Sequence, residues 1–178
     1  MEGMKVHHGI GGHTRPNNGR TNDWITPRHI LEALGPFDLD PCACTPQPWP
    51  TASDMLYSPI GLAVFRKLVE RGYSKRIWMN PPYGTAIRDW MRVMADCNHG
   101  TALVFARTET AWFCESVWGK ASALLFLHGR LFFHYPDGRK AEANSGGPSV
   151  LVAYGAQDAE MLRLCNLKGS LVTEVSRP

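Results

Sequence analysis

The stretch Arg76-Ile77-Trp78-Met79-Asn80-Pro81-Pro82-Tyr83-Gly84 decides how the chain is organised. Its apolar, β-prone first half predicts a short strand. The two prolines end that strand, because each lacks a backbone N–H and has φ fixed at about −65°. The residues that follow read as a helix, so we predict a strand-to-loop-to-helix corner. Stiff loops at the carboxyl ends of strands are where open α/β sheets bind ligands.

The residues at this corner are suited to binding an amine next to a flat ring. The side-chain oxygen of Asn80 and the carbonyl of Pro81 offer two acceptors to one exocyclic amino group. Tyr83 offers a ring face on which a base can stack. The alternative is a turn with an aromatic plug. We favour the binding site, because such a tetrapeptide arises by chance in about one chain in a thousand of this length.

Length and composition predict one globular domain. The chain has 178 residues, 44% of them hydrophobic, and a net charge of +3, which is compatible with a polyanionic partner without requiring one. Five cysteines without paired spacing, and no apolar leader, predict a cytoplasmic protein with reduced thiols. No run is long enough to span a membrane.

The chain divides into an arm and a domain. Residues 1–22 are rich in Gly, His, Asn and Arg, and we expect a flexible, solvated basic arm. Residues 23–178 form the single domain. We predict no metal site: the histidines of the arm lack partner ligands at a finger-like spacing, and Cys42 and Cys44 are better explained by packing.

Two segments near the start of the domain carry polar side chains toward the same region. Thr26 is predicted to cap a helix that begins at Pro27 and ends before Gly35. The strand of residues 37–43 contains Asp40, which could accept hydrogen bonds from an ammonium group or a hydroxyl, or could instead cap the turn before Pro41.

The remaining elements predict an α/β fold with a mostly parallel, doubly wound sheet and an antiparallel edge hairpin. Predicted helices carry apolar faces over residues 62–69 and 87–94, and the predicted strands cover residues 54–57, 101–106, 123–127, 131–134 and 149–154. Asp54 opens one of these strands and could reach a ribose.

Basic residues cluster in the loops of the second half. Arg107 follows the apolar strand of residues 101–106, and the others lie beyond it: Arg130, His134, Arg139 and Lys140. They could follow a phosphate backbone, although an ordinary solvated loop explains the last four equally well.

The motifs taken in order resemble the small phage and prophage DNA N6-adenine methyltransferases, which use S-adenosylmethionine. The resemblance extends from residue 23 to about residue 155, and its segments are residues 24–27, 37–43, 78–83, 90, 110–113, 129–133 and 148–152. It implies a Rossmann-like methyltransferase fold of reduced size. It also implies an enzyme encoded by a phage or prophage, acting on double-stranded DNA in the bacterial cytoplasm, in protection from restriction or in regulation.

The resemblance also implies roles for individual residues. The target adenine would be flipped out of the duplex onto Tyr83, with Asn80 and Pro81 accepting from its amino group and Pro82 stiffening the loop. Methyl transfer would then be direct. The cofactor's amino acid end would lie at Thr26, Pro27, Asp40 and Pro41, and its ribose at Asp38 or Asp54. The basic residues named above would contact DNA.

Two departures from larger methyltransferases stand out. The Gly-rich turn after the first strand is missing, and no sizeable target-recognition domain fits, so sequence choice would come from loops, from a homodimer partner, or be lax. Other substrates for the same chemistry remain open, namely N4 of cytosine, adenine in RNA or a glutamine side chain. An inactive DNA-binding module on the same fold also remains open.

Overall fold

The computed structural model describes residues 23–57 and 59–176, so the predicted flexible arm lies outside the described residues. The helices are α1 (Arg28–Leu34), α2 (Gly61–Glu70), α3 (Ile87–Cys97), α4 (Ala111–Ser116) and α5 (Ala156–Leu164). The strands are β1 (Leu39–Ala43), β2 (Asp54–Tyr57), β3 (Ile77–Met79), β4 (Gly100–Phe105), β5 (Ala123–Leu127), β6 (Ser149–Tyr154) and β7 (Gly169–Val172).

The strands form one mixed, mostly parallel sheet in the order β2-β1-β3-β4-β6-β5-β7. Strands β2, β1, β3 and β4 pair in parallel, and β6 is antiparallel to both β4 and β5. Strand β5 therefore runs in the same direction as the first four, so their carboxyl ends share one edge of the sheet. The predicted α/β class is confirmed, and the sheet is compatible with a Rossmann-like fold.

The antiparallel strands lie elsewhere than the sequence suggests. Strand β6 is inside the sheet, and the antiparallel edge is β7, which the sequence does not predict. Residues 131–134 were predicted as a strand, but only His134 takes part in pairing, through isolated bridges to Ile25 and Lys140. Strand β6 is buried along its whole length, because strands flank it on both sides and its side chains alternate between the apolar clusters on the two faces of the sheet. The Gly-Ser-Leu-Val of β7 is too short and too polar to signal a strand alone.

Side chains along each strand alternate between the two faces of the sheet, and apolar residues pack in one layer on each face. On one face, Met79 and Val104 pack with α3, whose predicted apolar residues are all buried: Ile87, Trp90, Met91 and Met94. On the other face, Trp78 and Leu103 pack with α1 and with Leu162 of α5. Burying each large apolar side chain contributes about 1.5–3 kcal/mol, so both layers fix the sheet.

A buried ion pair fastens α1 to the amino end of the sheet. The Arg76 guanidinium lies 2.7 Å from an Asp158 carboxylate oxygen, and donates to the carbonyls of Leu34 and Pro36 at 3.0 and 2.7 Å. Thr101 donates to the same carboxylate at 2.9 Å. These bonds satisfy the carbonyl of the last residue of α1 and that of Pro36 beyond it, and they fix the end of the helix beside the start of β3.

Candidate functional site at the carboxyl edge of the sheet

The predicted strand-to-loop-to-helix corner is present. Strand β3 ends at Met79, and α3 begins at Ile87, with the tetrapeptide Asn80–Tyr83 directly after the strand. Strand β3 lies between β1 and β4, both parallel to it, so the corner is at the carboxyl edge near the middle of the parallel strands. Pro81 is buried and Pro82 is exposed.

The orientation of the Asn80 side chain is set by the chain segment ahead of α1. The Nδ2 amide of Asn80 donates to the carbonyl of Trp24 at 2.9 Å. That segment is fixed in turn by two backbone bonds between Ile25 and His134, at 2.9 and 3.0 Å. Because the amide nitrogen is occupied, Oδ1 is the atom of Asn80 left to accept, and within the described residues it has no hydrogen-bond partner.

Tyr83 combines an anchored hydroxyl with an exposed ring. Its hydroxyl oxygen accepts the Phe105 backbone N–H at 2.8 Å, and its ring stacks on the Phe105 ring at 4.6 Å between centroids and 25°. Successive backbone N–H groups of a strand point to opposite sides. The Ala106 N–H bonds to the Pro148 carbonyl on the β6 side, so the Phe105 N–H points to the other side, where β3 has already ended. Tyr83 fills that position, while 41% of the residue stays exposed.

The electrostatic environment keeps Tyr83 a neutral phenol. Desolvation of the hydroxyl raises its pKa, and the bond from Phe105 and the nearby positive charge of Arg107 lower it by less. The hydroxyl is therefore a fixed structural contact. The exposed part of the ring is the surface that a planar group could meet.

Asp40 is turned into the protein. It is 3% exposed, and its two oxygens accept hydrogen bonds from the Cys42 backbone N–H and the Thr51 hydroxyl. Burial raises the pKa of Asp40 from 3.8 to about 6, although both hydrogen bonds act in the opposite direction. The bond to the residue two positions on matches the turn-capping alternative, and the bond to Thr51 fastens the loop of residues 44–53 to β1.

Thr26, Pro27 and Pro41 are also buried. Thr26 does not cap α1: the capping position is Pro27, and α1 has no side-chain cap, so the predicted cap is wrong. The Thr26 carbonyl instead accepts from the indole nitrogen of Trp49 at 3.1 Å. The loop thus contacts Thr26 through Trp49 and Asp40 through Thr51. The Asn80 acceptor lies at the end of the adjacent strand, β3.

The two ribose candidates lie at the other end of the sheet. Asp38 precedes β1 and accepts the Arg76 backbone N–H at 2.9 Å, and Asp54 is the first residue of β2, paired with Leu39. The structure therefore does not bring them to Asn80. The residue at the carboxyl end of β2 is Tyr57, which is 39% exposed and pairs with Ala43. The sequence did not single out Tyr57 as a ribose contact, because the expected ligand was an acid.

An exposed carboxylate does lie at the site edge. Asp23 directly precedes Trp24, and its charge adds to the burial that raises the pKa of Cys44 to about 12. Asp23 could have been found from the sequence, because it opens the Asp-Trp-Ile-Thr-Pro segment that contains Thr26. Across residues 23–57 and 59–176, no group of three or more His, Cys, Asp or Glu side chains is arranged to hold a metal ion.

The predicted basic residues differ in their availability. Arg107 is half-buried close to the Tyr83 hydroxyl, whereas Arg130 is exposed. Desolvation lowers the pKa of His134, with help from the charges of Lys140 and His29, and the ring packs edge-on against Trp49 at 5.0 Å. His134 is therefore a packing residue and a poor cation.

Arg139 and Lys140 are exposed on the loop between β5 and β6. Arg139 forms an ion pair with Asp137 at 2.7 Å, and its guanidinium carbon lies 5.4 Å from the centre of the Tyr135 ring. The Lys140 ammonium lies 4.7 Å from the centre of the Phe132 ring. Both cations thus lie against aromatic rings, where each contact is worth about 0.5–1 kcal/mol.

Two surface clefts lie away from the tetrapeptide. One, of about 550 Å³, is bounded by α1, the end of β5 and the α5–β7 connection, and the other, of about 670 Å³, lies between α1 and residues 50–53. In the described part of the chain, no helix is long and apolar enough to cross a membrane.

Comparison of the chain with protein-family models, with curated proteins and with solved structures finds no match in any of the three.

Proposed function

We propose that this protein is an S-adenosylmethionine-dependent methyltransferase that acts on the N6 amino group of adenine in DNA, on a Rossmann-like methyltransferase sheet. One observation carries the proposal. At the carboxyl end of a central parallel strand, Asn80 presents Oδ1 while Trp24 holds its amide nitrogen, and the exposed ring of Tyr83 stands three residues away. An acceptor beside a stacking surface suits an aromatic amine.

The chain's residues would act by positioning and by accepting charge. Asn80 Oδ1 and the Pro81 carbonyl accept from the two N6 hydrogens, which draws the nitrogen lone pair out of the ring and directs it outward. Tyr83 stacks on the base with one ring face while Phe105 supports the other. The cofactor supplies an electrophilic methyl group on a sulfonium. When bound, it would donate that methyl group to the amine nitrogen and leave as the thioether, and the amine proton would pass to solvent.

The residues at the carboxyl edge fit the charged end of the cofactor, but with Asp23 in place of the buried Asp40 as the contact. Asp23 is an exposed carboxylate whose charge reaches Cys44, just beyond the carboxyl end of β1, so we assign the contact with the ammonium group to Asp23. Asp40 and Thr26, both buried, hold the loop of residues 44–53 through Thr51 and Trp49. Asp38 and Asp54 have no place in the proposal, because they lie at the amino ends of their strands.

Methyl transfer from labelled S-adenosylmethionine to DNA, RNA and protein tests the proposal. We expect label in DNA, as N6-methyladenine, and its loss in Asn80→Ala. Asn166→Ala is the matched control, because Asn166 is exposed on the α5–β7 connection away from the corner. Label found only in RNA, only in protein or only on cytosine would overturn N6 of adenine in DNA as the substrate and identify the methylated amine as the one that carries the label. No label in any of them, with no cofactor binding by calorimetry, would refute it.

A further inference from the structure

We propose that the rings of Trp24 and Tyr135, here called the aromatic platform, stack on a base next to the target adenine. The substrate is therefore DNA that is single-stranded or unpaired at the site. This inference rests on the proposed function, since it extends the same site. It goes beyond that function by naming the state of the DNA strand that the site takes.

The aromatic platform adjoins the amine acceptor. Trp24 is 37% exposed, and its ring centroid lies 5.4 Å from that of Tyr135, with 37° between the ring planes. The carbonyl of the same Trp24 binds the Asn80 amide at 2.9 Å. A base on the platform and an amine at Asn80 would therefore be neighbours on one strand.

The platform is held in place before any ligand arrives. Tyr135 follows His134, whose two backbone bonds to Ile25 place it beside Trp24. A turn fixes the backbone of Tyr135 through two hydrogen bonds. The Tyr135 carbonyl accepts from the Gly138 N–H at 2.8 Å, and the Arg139 carbonyl accepts from the Tyr135 N–H at 2.8 Å. A preformed stacking surface avoids an ordering cost on binding.

Two cations on the loop of Tyr135 can contact a phosphate strand, and they lie beside the carboxylates of Asp137 and, ahead of Trp24, Asp23. Lys140 pairs with His134, the residue before Tyr135, and it is exposed and makes no ion pair within the described residues. Arg139 lies over Tyr135, although its pairing with Asp137 offsets part of its charge. Aromatic rings flanked by cations are how proteins bind single strands, because every base has a face that can stack.

The requirement for an unpaired strand follows from the geometry of stacking. Inside a duplex, both faces of each base are covered by its neighbours, so a protein ring reaches a base face only where the stack is opened. A platform beside the acceptor needs a second unstacked base in addition to the target. A fully paired duplex would have to open at two positions to use it.

Binding of the full chain to 2-aminopurine oligonucleotides tests the platform. The probe is one DNA sequence with 2-aminopurine beside the target adenine, single-stranded or annealed to its complement, followed by anisotropy and by quenching of its fluorescence. We expect the single strand to bind at least about tenfold more tightly, with quenching. Trp24→Leu or Tyr135→Leu should weaken binding about 5- to 150-fold, the range for loss of one stacked base.

Matched substitutions separate stacking from folding. Trp24→Phe and Tyr135→Phe keep a ring and should retain most of the affinity. Trp112→Leu, on α4, and Tyr73→Leu, ahead of β3, remove a similar ring elsewhere and should leave binding unchanged. If one platform variant fails to fold by thermal unfolding, the other decides the question.

The outcomes distinguish this inference from the proposed function. Equal affinity for duplex and single strand, or unchanged binding by a folded platform variant, would overturn the platform even where methyl transfer is observed. Quenching and affinity that depend on Trp24 in a protein without methyl transfer would support the platform and count against the enzyme. Asn80→Ala should lose methyl transfer and keep the quenching.

Discussion

Replacing Asp40 with asparagine should change how stability depends on pH. The Asp40 carboxyl is buried, and its pKa is raised from 3.8 to about 6 in the folded protein. Between these values the folded state binds more protons than the unfolded state, so the free energy of unfolding falls as pH rises through this window. The charged carboxylate is thus a cost to the fold above about pH 6, and the cost disappears below about pH 4.

The size of the effect follows from the shift. A shift of roughly two pKa units corresponds to about 3 kcal/mol at neutral pH. Asparagine has the same shape: its oxygen can accept the Cys42 N–H, and its amide can donate to the Thr51 hydroxyl. Asp40→Asn should therefore be up to about 3 kcal/mol more stable than the natural protein at pH 7, and roughly 2 kcal/mol of that difference should vanish by pH 4.5.

Urea unfolding at pH 4.5, 5.5 and 7 measures this difference. Asp54→Asn, exposed at the start of β2, controls for the loss of one carboxylate from the net charge. A gap between Asp40→Asn and the natural protein that stays constant with pH, or widens on acidification, would contradict a buried charged carboxylate beneath the site.

Two other substitutions test the frame of the site. Arg76→Leu leaves Asp158, whose side chain is 2% exposed, without its partner, and should lower the free energy of unfolding by about 3–5 kcal/mol; a loss below about 1 kcal/mol in urea unfolding would refute that role. Tyr83→Phe removes the acceptor of the Phe105 N–H and keeps the ring, so it should cost about 1–3 kcal/mol of stability and retain base stacking. Loss of 2-aminopurine quenching at the target position in Tyr83→Phe would show that the hydroxyl, not the ring, is the contact.

The corner at Asn80 could be predicted because its causes are local. Two prolines end a strand whatever surrounds them, and the apolar face of α3 is visible as a helical repeat. The α/β class follows from the same local alternation of strands and helices. These features need no knowledge of which strand pairs with which.

The features that sequence reasoning missed depend on distant partners. The position of β6 between β4 and β5 is a matter of pairing, and β7 becomes a strand only because β5 offers it a ladder. Asp54 looked like a ribose ligand, but its pairing with Leu39 places it at the amino end of the sheet.

The orientation of the Asn80 amide has the same origin. It depends on the Trp24 carbonyl, which His134 fixes through Ile25 from more than a hundred residues further along the chain. The burial of Asp40 likewise depends on Thr51, in a loop without a regular pattern. Neither contact has a signal in the sequence near the residue it controls.

Detection of modified bases in DNA from cells that express the protein tests the central claim most directly. The proposal predicts N6-methyladenine in cells with the natural chain and with Asn166→Ala, and none in cells with Asn80→Ala. DNA without that mark in cells with the natural chain, or a mark that persists in Asn80→Ala, would contradict it.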